Sequence, residues 1–302
     1  MDGSELEETL RVFEASLSEI KWRLKLSSKR RLQTDILALC TGMRPVIMVD
    51  YGGKMPELGD RLCAFLEYCK KESSIFDLLK VMVIDDMVYL VQVRALADFV
   101  KSSLKLESKM LFVDLENDPP KMLTQADKSP AAMQLLSAQQ LFSTVFQGGG
   151  VIIDHLQNHA SHNASSSLDG HVTSESHELI DLSCCLQKSQ VTIPILNGWL
   201  LGYPVVYLFG KDYIERAIYS LSTKSLHVYQ IYVNRVDASR KGNSQEELMS
   251  FTVPYELSLE GSNEPWAKSF LANMLERWDK CKQVWGSLQM EVKGCYPQAI
   301  AL

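Results

Sequence analysis

The sequence has no run of the roughly 18 apolar residues that a membrane-crossing helix needs. Its first residues, Met1-Asp2-Gly3-Ser4-Glu5, lack the apolar core of a signal peptide. Both absences point to an intracellular protein, cytoplasmic or nuclear, with no membrane partner. An excess of basic charge is also missing: 31 Lys and Arg stand against 37 Asp and Glu, a net charge of −6. A broad nucleic-acid surface needs the opposite balance, so none is expected, although a small local patch stays open. No two cysteines have C-x-x-C spacing. The seven, an odd number (Cys40, Cys63, Cys69, Cys184, Cys185, Cys281 and Cys295), read as reduced structural thiols. Cys184-Cys185 is a vicinal pair, either two packed thiols or a strained disulfide. There is no G-x-S-x-G elbow, no G-x-x-x-x-G-K-[ST] loop, no H-E-x-x-H and no internal repeat. The sequence names no catalytic residue and no cofactor.

What is present is a chain of 302 residues, 46% apolar and 23% charged, enough to bury a sizeable core. A single α/β domain over 1–302 is expected. Leu6, Leu10, Phe13, Leu17, Ile20 and Leu24 alternate spacings of four and three, which predicts an amphipathic helix over 5–26. Three heptads would also suit a short coiled coil. A second helix is predicted over Arg31–Cys40; Lys29-Arg30-Arg31 before it is a solvated helix start or part of a nuclear import signal. Strand Val46–Asp50 follows, then a helix opening at Pro56 with Leu58, Leu62, Phe65, Leu66 and Cys69 on its inner face. The apolar stretch 81–91 is one strand to Asp85, or two strands bent at Asp85-Asp86. Helices over 95–105 and 130–146 bracket the strand Leu111–Asp114. Strands that are apolar throughout belong to a sheet covered on both faces. The first half therefore reads as a parallel-leaning mixed sheet with helices on both sides.

Residues 157–178 are rich in Ser and Asn and too poor in apolar side chains to offset their ordering. A mobile loop is expected there. Five of the six histidines, His155, His159, His162, His171 and His177, fall between 155 and 177. Their spacings of three and four are those of metal ligands on a helix, but no helix pattern accompanies them, and no metal site is expected. His227 lies in a strand, where a hydrogen-bonded residue is a commoner role than a base. The remainder reads as an antiparallel meander. Val191–Leu196 and Trp199–Leu201 flank Asn197-Gly198, a hairpin signal. Strands follow at 205–209, 225–233 and 250–255, with a polar loop over 238–247. A closing helix over 264–288 carries Phe270, Met274, Trp278 and Trp285 on one broad face. Its tryptophans, with Trp266, are core or a partner-binding face.

The candidate ligand site is the strand-to-helix corner Asp50, Gly52, Gly53 and Lys54, joined by Asp85, Asp86 and Asp114. Three predicted strands end in carboxylates. If the strands are parallel neighbours, the carboxylates gather at one sheet edge, where they could hold Mg²⁺ or ribose hydroxyls. The glycines would let a ligand approach the backbone, and the helix N-terminus would favour an anion. The same residues also simply cap turns and make a corner. The motif order resembles that of S-adenosylmethionine-dependent methyltransferases, whose Gly-rich loop passes the methionine portion. This loop has two glycines where three are usual, and Asp118-Pro119-Pro120 lacks the usual aromatic residue. Metal-assisted phosphate chemistry would use the same corner.

Val49-Asp50-Tyr51-Gly52-Gly53 and the stretch from Leu196 to Phe209, with Asn197-Gly198-Trp199 and Gly202-Tyr203-Pro204, carry a further resemblance. The chain resembles an uncharacterised eukaryotic family, a domain of unknown function typified by a human open-reading-frame protein of chromosome 1, over about residues 30–290. The resemblance implies an intracellular eukaryotic protein and assigns no activity. The reading favoured is a non-catalytic binding or scaffold protein, taking an unidentified protein partner or small molecule. The alternative is a ligand-handling enzyme at the Asp/Gly-Gly corner.

Overall fold

The computed structural model describes residues 1–105, 110–123, 129–147, 151, 178–236 and 245–299. Residues 157–177 of the expected mobile loop 157–178, the five clustered histidines, and 238–244 of the expected polar loop lie outside the described residues; Glu178 is described and buried. The chain is mixed α/β, with parallel and antiparallel pairing. Among the described residues the strands fall into three sheets, the last wholly antiparallel.

Helix α1 (Gly3–Glu19) opens on a capping box between Asp2 and Glu5 and buries Leu6, Val12, Phe13 and Leu17. It ends seven residues before the expected bound at 26. The Trp22 N–H returns to Leu17 O (3.0 Å) and the Lys21 N–H to Ser18 O (3.1 Å), with Lys21 at φ +53°. This is a Schellman stop whose left-handed position holds Lys rather than Gly, so no glycine marks it in the sequence. Helix α2 (Leu26–Cys40) starts earlier than expected, and α3 (Glu57–Glu72) packs on α1 through Phe13 and Phe65, edge to face at 5.5 Å.

The first sheet holds β1 (Val46–Met48), β2 (Leu79–Ile84), β3 (Met87–Gln92) and β6 (Leu179–Asp181), in the order β1-β3-β2-β6. Asp85-Asp86 is a two-residue hairpin turn, with Asp85 at φ +51° and Ile84 opposite Met87. Both β1 and β2 pair antiparallel with β3, and β2 pairs parallel with β6. Ile47, Val81, Val88 and Leu90 pack in one core with α1–α3. Val46, Met82, Tyr89 and Val91 pack in a second core with α4 (Val93–Ser103), α5 (Pro130–Val145) and α7 (Ile193–Leu200). Alternate residues of β3 are thus apolar toward both layers, the basis of the covered-sheet reading.

The second sheet has the order β5-β4-β7, from β4 (Leu111–Asp114), β5 (Lys121–Leu123) and β7 (Val205–Leu208), with β4 and β7 parallel. A short helix α6 (Ser183–Leu186) precedes α7, and α8 (Ile214–Ser222) follows β7. The third sheet has the order β10-β8-β9, from β8 (Leu226–Arg235), β9 (Gln245–Pro254) and β10 (Trp285–Cys295).

Three expectations are overturned here. The hairpin at Asn197-Gly198 is the middle of helix α7. Ile195, Leu196, Trp199 and Leu200 recur at helical spacing and are all buried, and Pro194 sits in the first turn, so period 3.6 prevails over the turn dipeptide. The closing helix 264–288 is instead α9 (Pro265–Asp279) followed by β10. Trp285 is not on the helix face but starts the strand, wholly buried, donating to Thr41 Oγ1 at 3.2 Å. Residues 245–247, expected in a loop, are strand.

Gly198 lets α7 lie directly on β7: a Cβ there would stand 3.0 Å from Val206 Cγ1 and 3.3 Å from Cγ2. We expect Gly198→Ala to destabilise by about 1–2 kcal/mol, the steric cost exceeding a helix-propensity gain of about 1 kcal/mol. In a Val206→Ala background the same change should be neutral or stabilising. Urea unfolding of the four proteins of this cycle decides it, and equal effects in both backgrounds would refute the close-approach argument.

Candidate binding site

The residues singled out in the sequence are only partly brought together. Register places the end of β1, and so Asp50, at the same end of the first sheet as the Asp85-Asp86 turn. Strand β3 lies between them, so two strand spacings, about 10 Å, separate the ends of β1 and β2. Asp50, Asp85 and Asp86 are exposed. The Asp85 N–H donates to Ser183 Oγ (2.9 Å), whose hydroxyl donates to Asp181 Oδ1 (2.6 Å). Asp114 is on the second sheet. Its carboxylate accepts from the Glu116 N–H (2.8 Å) and Asn117 Nδ2 (2.7 Å), closing its own turn. Gly52, at φ +84°, faces Trp22 and Leu24, either of which a Cβ would crowd at 3.0–3.2 Å. Gly53 has ordinary space around it, Lys54 is exposed, and Pro56 is the cap before α3 rather than its first residue. The first turn of α3 carries Glu57 and Asp60, which already occupy the positive end of the helix dipole and repel an added anion. The strand order of the methyltransferase resemblance requires parallel neighbours, whereas β1 and β2 are separated by an antiparallel strand. Among the described residues no three His, Cys, Asp or Glu side chains are placed to hold a metal. His227 is hydrogen-bonded, its Nδ1 facing Ser258 O and Oγ at 2.9 and 3.1 Å.

Behind the corner lies a buried polar junction. Arg44, 4% exposed, donates to Leu248 O on β9 (3.1 Å) and to Leu201 O (3.4 Å). Leu201 caps the C-terminus of α7, the negative end of its dipole. Burial lowers the Arg44 pKa, offset by the nearby Tyr203 and Asp35. Asp35 is fully buried. It accepts from Tyr51 OH (2.5 Å) and lies 3.3 Å from Arg31 Nε, while its Oδ1 has no partner among the described residues. Burial raises the Asp35 pKa against the pull of Arg31 and Tyr51. The Tyr51 phenol is pushed up by burial and by Asp35, which keeps it a donor. Arg31 also donates to Glu247 O (2.6 Å), so α2 and β9 are clasped at this junction.

Beside the junction is a cavity of about 590 Å³. It lies between α4, α7, α9 and the loop that follows α7. Phe99, Trp199, Tyr203, Trp266, Phe270 and Met274 form apolar walls, and Ser269, Asn273 and Arg277 bring polar groups. Gly202, at φ +74°, ends α7 in a Schellman turn, with the Tyr203 N–H on Gly198 O (3.0 Å) and the Gly202 N–H on Trp199 O (2.9 Å). That turn aims Tyr203 into contact with all three hydrophobic cores. Trp199 stands between Phe99 (5.7 Å) and Phe142 (5.2 Å). The indole N–H groups of Trp199 and Trp266 are buried without an acceptor among the described residues. None of these wall residues was singled out as a ligand site in the sequence. The available signal was the four-residue spacing of Trp266, Phe270 and Met274, which reads equally as core.

The chain belongs to the family described as Domain of unknown function (DUF4504), which matches residues 14–302. Comparisons with curated proteins and with solved structures returned no match. Among the described residues no helix is long and apolar enough to cross a membrane.

Two measurements test the junction. Arg44→Met strands the carbonyls of Leu201 and Leu248 and should lower unfolding free energy by about 3 kcal/mol; in urea titrations a loss below about 0.5 kcal/mol would refute its structural role. The raised Asp35 pKa means the folded carboxyl holds its proton more tightly than the unfolded one. Its contribution is complete below the unfolded value of about 3.9 and is lost as pH rises through the folded value. The stability of wild type relative to Asp35→Asn should therefore fall as pH rises above about 4 and level off once the folded carboxyl has ionised; a constant difference would contradict the shift.

Proposed function

We propose that the protein is a non-catalytic binding protein whose seat is the cavity between α4, α7 and α9, and that its occupant is an apolar small molecule. The observation that carries this reading is a space of about 590 Å³, within the range of roughly 300–1,000 Å³ typical of ligand sites, with mainly aromatic walls and few polar groups. Its walls come from distant parts of the chain, α4, the start of β4, α7 and α9, beside the Arg44 junction. We read 1–302 as one domain on the same ground, since Tyr203 packs against every core. We further read the protein as an intracellular member of a eukaryotic family, cytoplasmic or nuclear, in keeping with its reduced thiols. A broad nucleic-acid surface does not suit a net charge of −6. The alternative, a ligand-handling enzyme at the Asp50–Lys54 corner, draws support from Asp50, Asp85 and Asp86 sharing one sheet end. It is weakened by Asp114 lying on another sheet and by Glu57 and Asp60 at the helix start.

Phenylnaphthylamine, a neutral probe that fluoresces in apolar surroundings, tests the cavity. Its emission should rise on the wild-type protein. The rise should disappear in Ser269→Trp, which fills the space from an exposed position on α9 and leaves circular dichroism unchanged. No rise with wild type, or the same rise with Ser269→Trp, would refute the seat.

A further inference from the structure

Helix α9 faces the cavity with two parallel rows of side chains. Trp266, Phe270 and Met274 are four residues apart, and so are Ser269, Asn273 and Arg277; all six line the space. Residues four apart stack along one side of a helix, so an apolar row runs beside a polar one. The polar row ends in a guanidinium. Met274 is buried, whereas Ser269, Asn273 and Arg277 are exposed, so the apolar row forms the floor and the polar row the rim.

Arg277 is a cation with little to answer it. Its guanidinium makes one long hydrogen bond, to Met43 O at 3.4 Å. Among the described residues no carboxylate forms an ion pair with it. Arg44 lies close enough for the two cations to disfavour each other. Partial desolvation pulls Arg277 below its ordinary pKa, with no anionic neighbour to offset the pull. One guanidinium fork matches one carboxylate in bidentate geometry, whereas a doubly charged phosphate calls for more donors than this rim offers. The walls are flat aromatic faces, which suit a planar ring system better than a flexible chain.

We infer that the cavity takes an aromatic monocarboxylate, its ring seated on the Trp266/Phe270/Met274 row and its carboxylate held by Arg277 at the rim. The inference rests on the cavity reading above and adds the ligand's charge and polarity.

Calorimetric titration with naphthaleneacetate, its neutral counterpart naphthaleneacetamide, and phenylnaphthylamine tests it on wild type, Arg277→Gln and Arg277→Lys. On wild type the acid should bind about tenfold or more tightly than the amide, as a charge-assisted hydrogen bond requires. Arg277→Gln should abolish that preference, Arg277→Lys, which keeps the charge but not the fork, should retain only part of it, and phenylnaphthylamine should bind all three proteins alike. Equal binding of acid and amide, or a preference that survives Arg277→Gln, overturns the carboxylate assignment. Binding of phenylnaphthylamine without either naphthalene ligand overturns the acid and leaves the cavity reading standing. Binding of none of the three overturns both.

Discussion

A buried guanidinium bound to two backbone carbonyls holds this molecule together at its centre. Arg44 precedes β1 of the first sheet, Leu201 precedes β7 of the second, and Leu248 lies on β9 of the third. A cation in such a place costs desolvation energy that only well-placed acceptors can offset. Here the acceptors are the end of a helix dipole and a strand carbonyl, with Asp35 and Tyr203 at longer range. Because Arg44 leads into β1 while its acceptors lie at the end of α7 and on β9, satisfying it brings the first sheet, the third sheet and the helix before β7 together. Arg31 of α2 on Glu247 O of β9, and Arg235 of β8 on Gln33 Oε1 of α2 (2.6 Å), fix α2 against the third sheet.

The cavity follows from that constraint. Helix α7 is pinned on β7 by Gly198 and terminated by Gly202, and α9 is tied to Met43 through Arg277. Of the α9 side chains, Ala267 and Met274 are buried, so the helix roofs a space rather than filling it. The apolar floor and polar rim then arise from one fact of helical geometry, two four-residue rows side by side. The ordering of the corner at Asp50–Lys54 serves the opposite end. Gly52 closes on Trp22 and Leu24, and Tyr51 turns inward to Asp35, so this loop's inward contacts are used in packing.

Particular elements show where pattern suffices. The stripes of α1 and α3 and the doubly covered β2 and β3 were all legible, because each depends on near neighbours and on burial period. The stop of α1 was not, since Lys21 rather than Gly takes the left-handed position. The Asn197-Gly198 dipeptide misled because a turn signal is local, while the burial of Ile195, Leu196 and Trp199 is decided by what α7 packs on. Strand β10 was missed although Leu288, Met290 and Val292 alternate, because the preceding helical stripe runs on in sequence to Trp285.

The sequence by itself determined the elements' types over most of the chain, the mixed α/β class and the apolar faces, because propensity and periodicity act over a few residues. Only the tertiary structure decided that β1 and β2 are separated by β3, that Asp114 stands on another sheet, and that Phe99, Trp199, Tyr203 and the rows of α9 surround one space. Those are matters of strand order and of contacts between residues tens of positions apart or more, set by the joint satisfaction of Arg44 and the three cores, and no short stretch of sequence carries them.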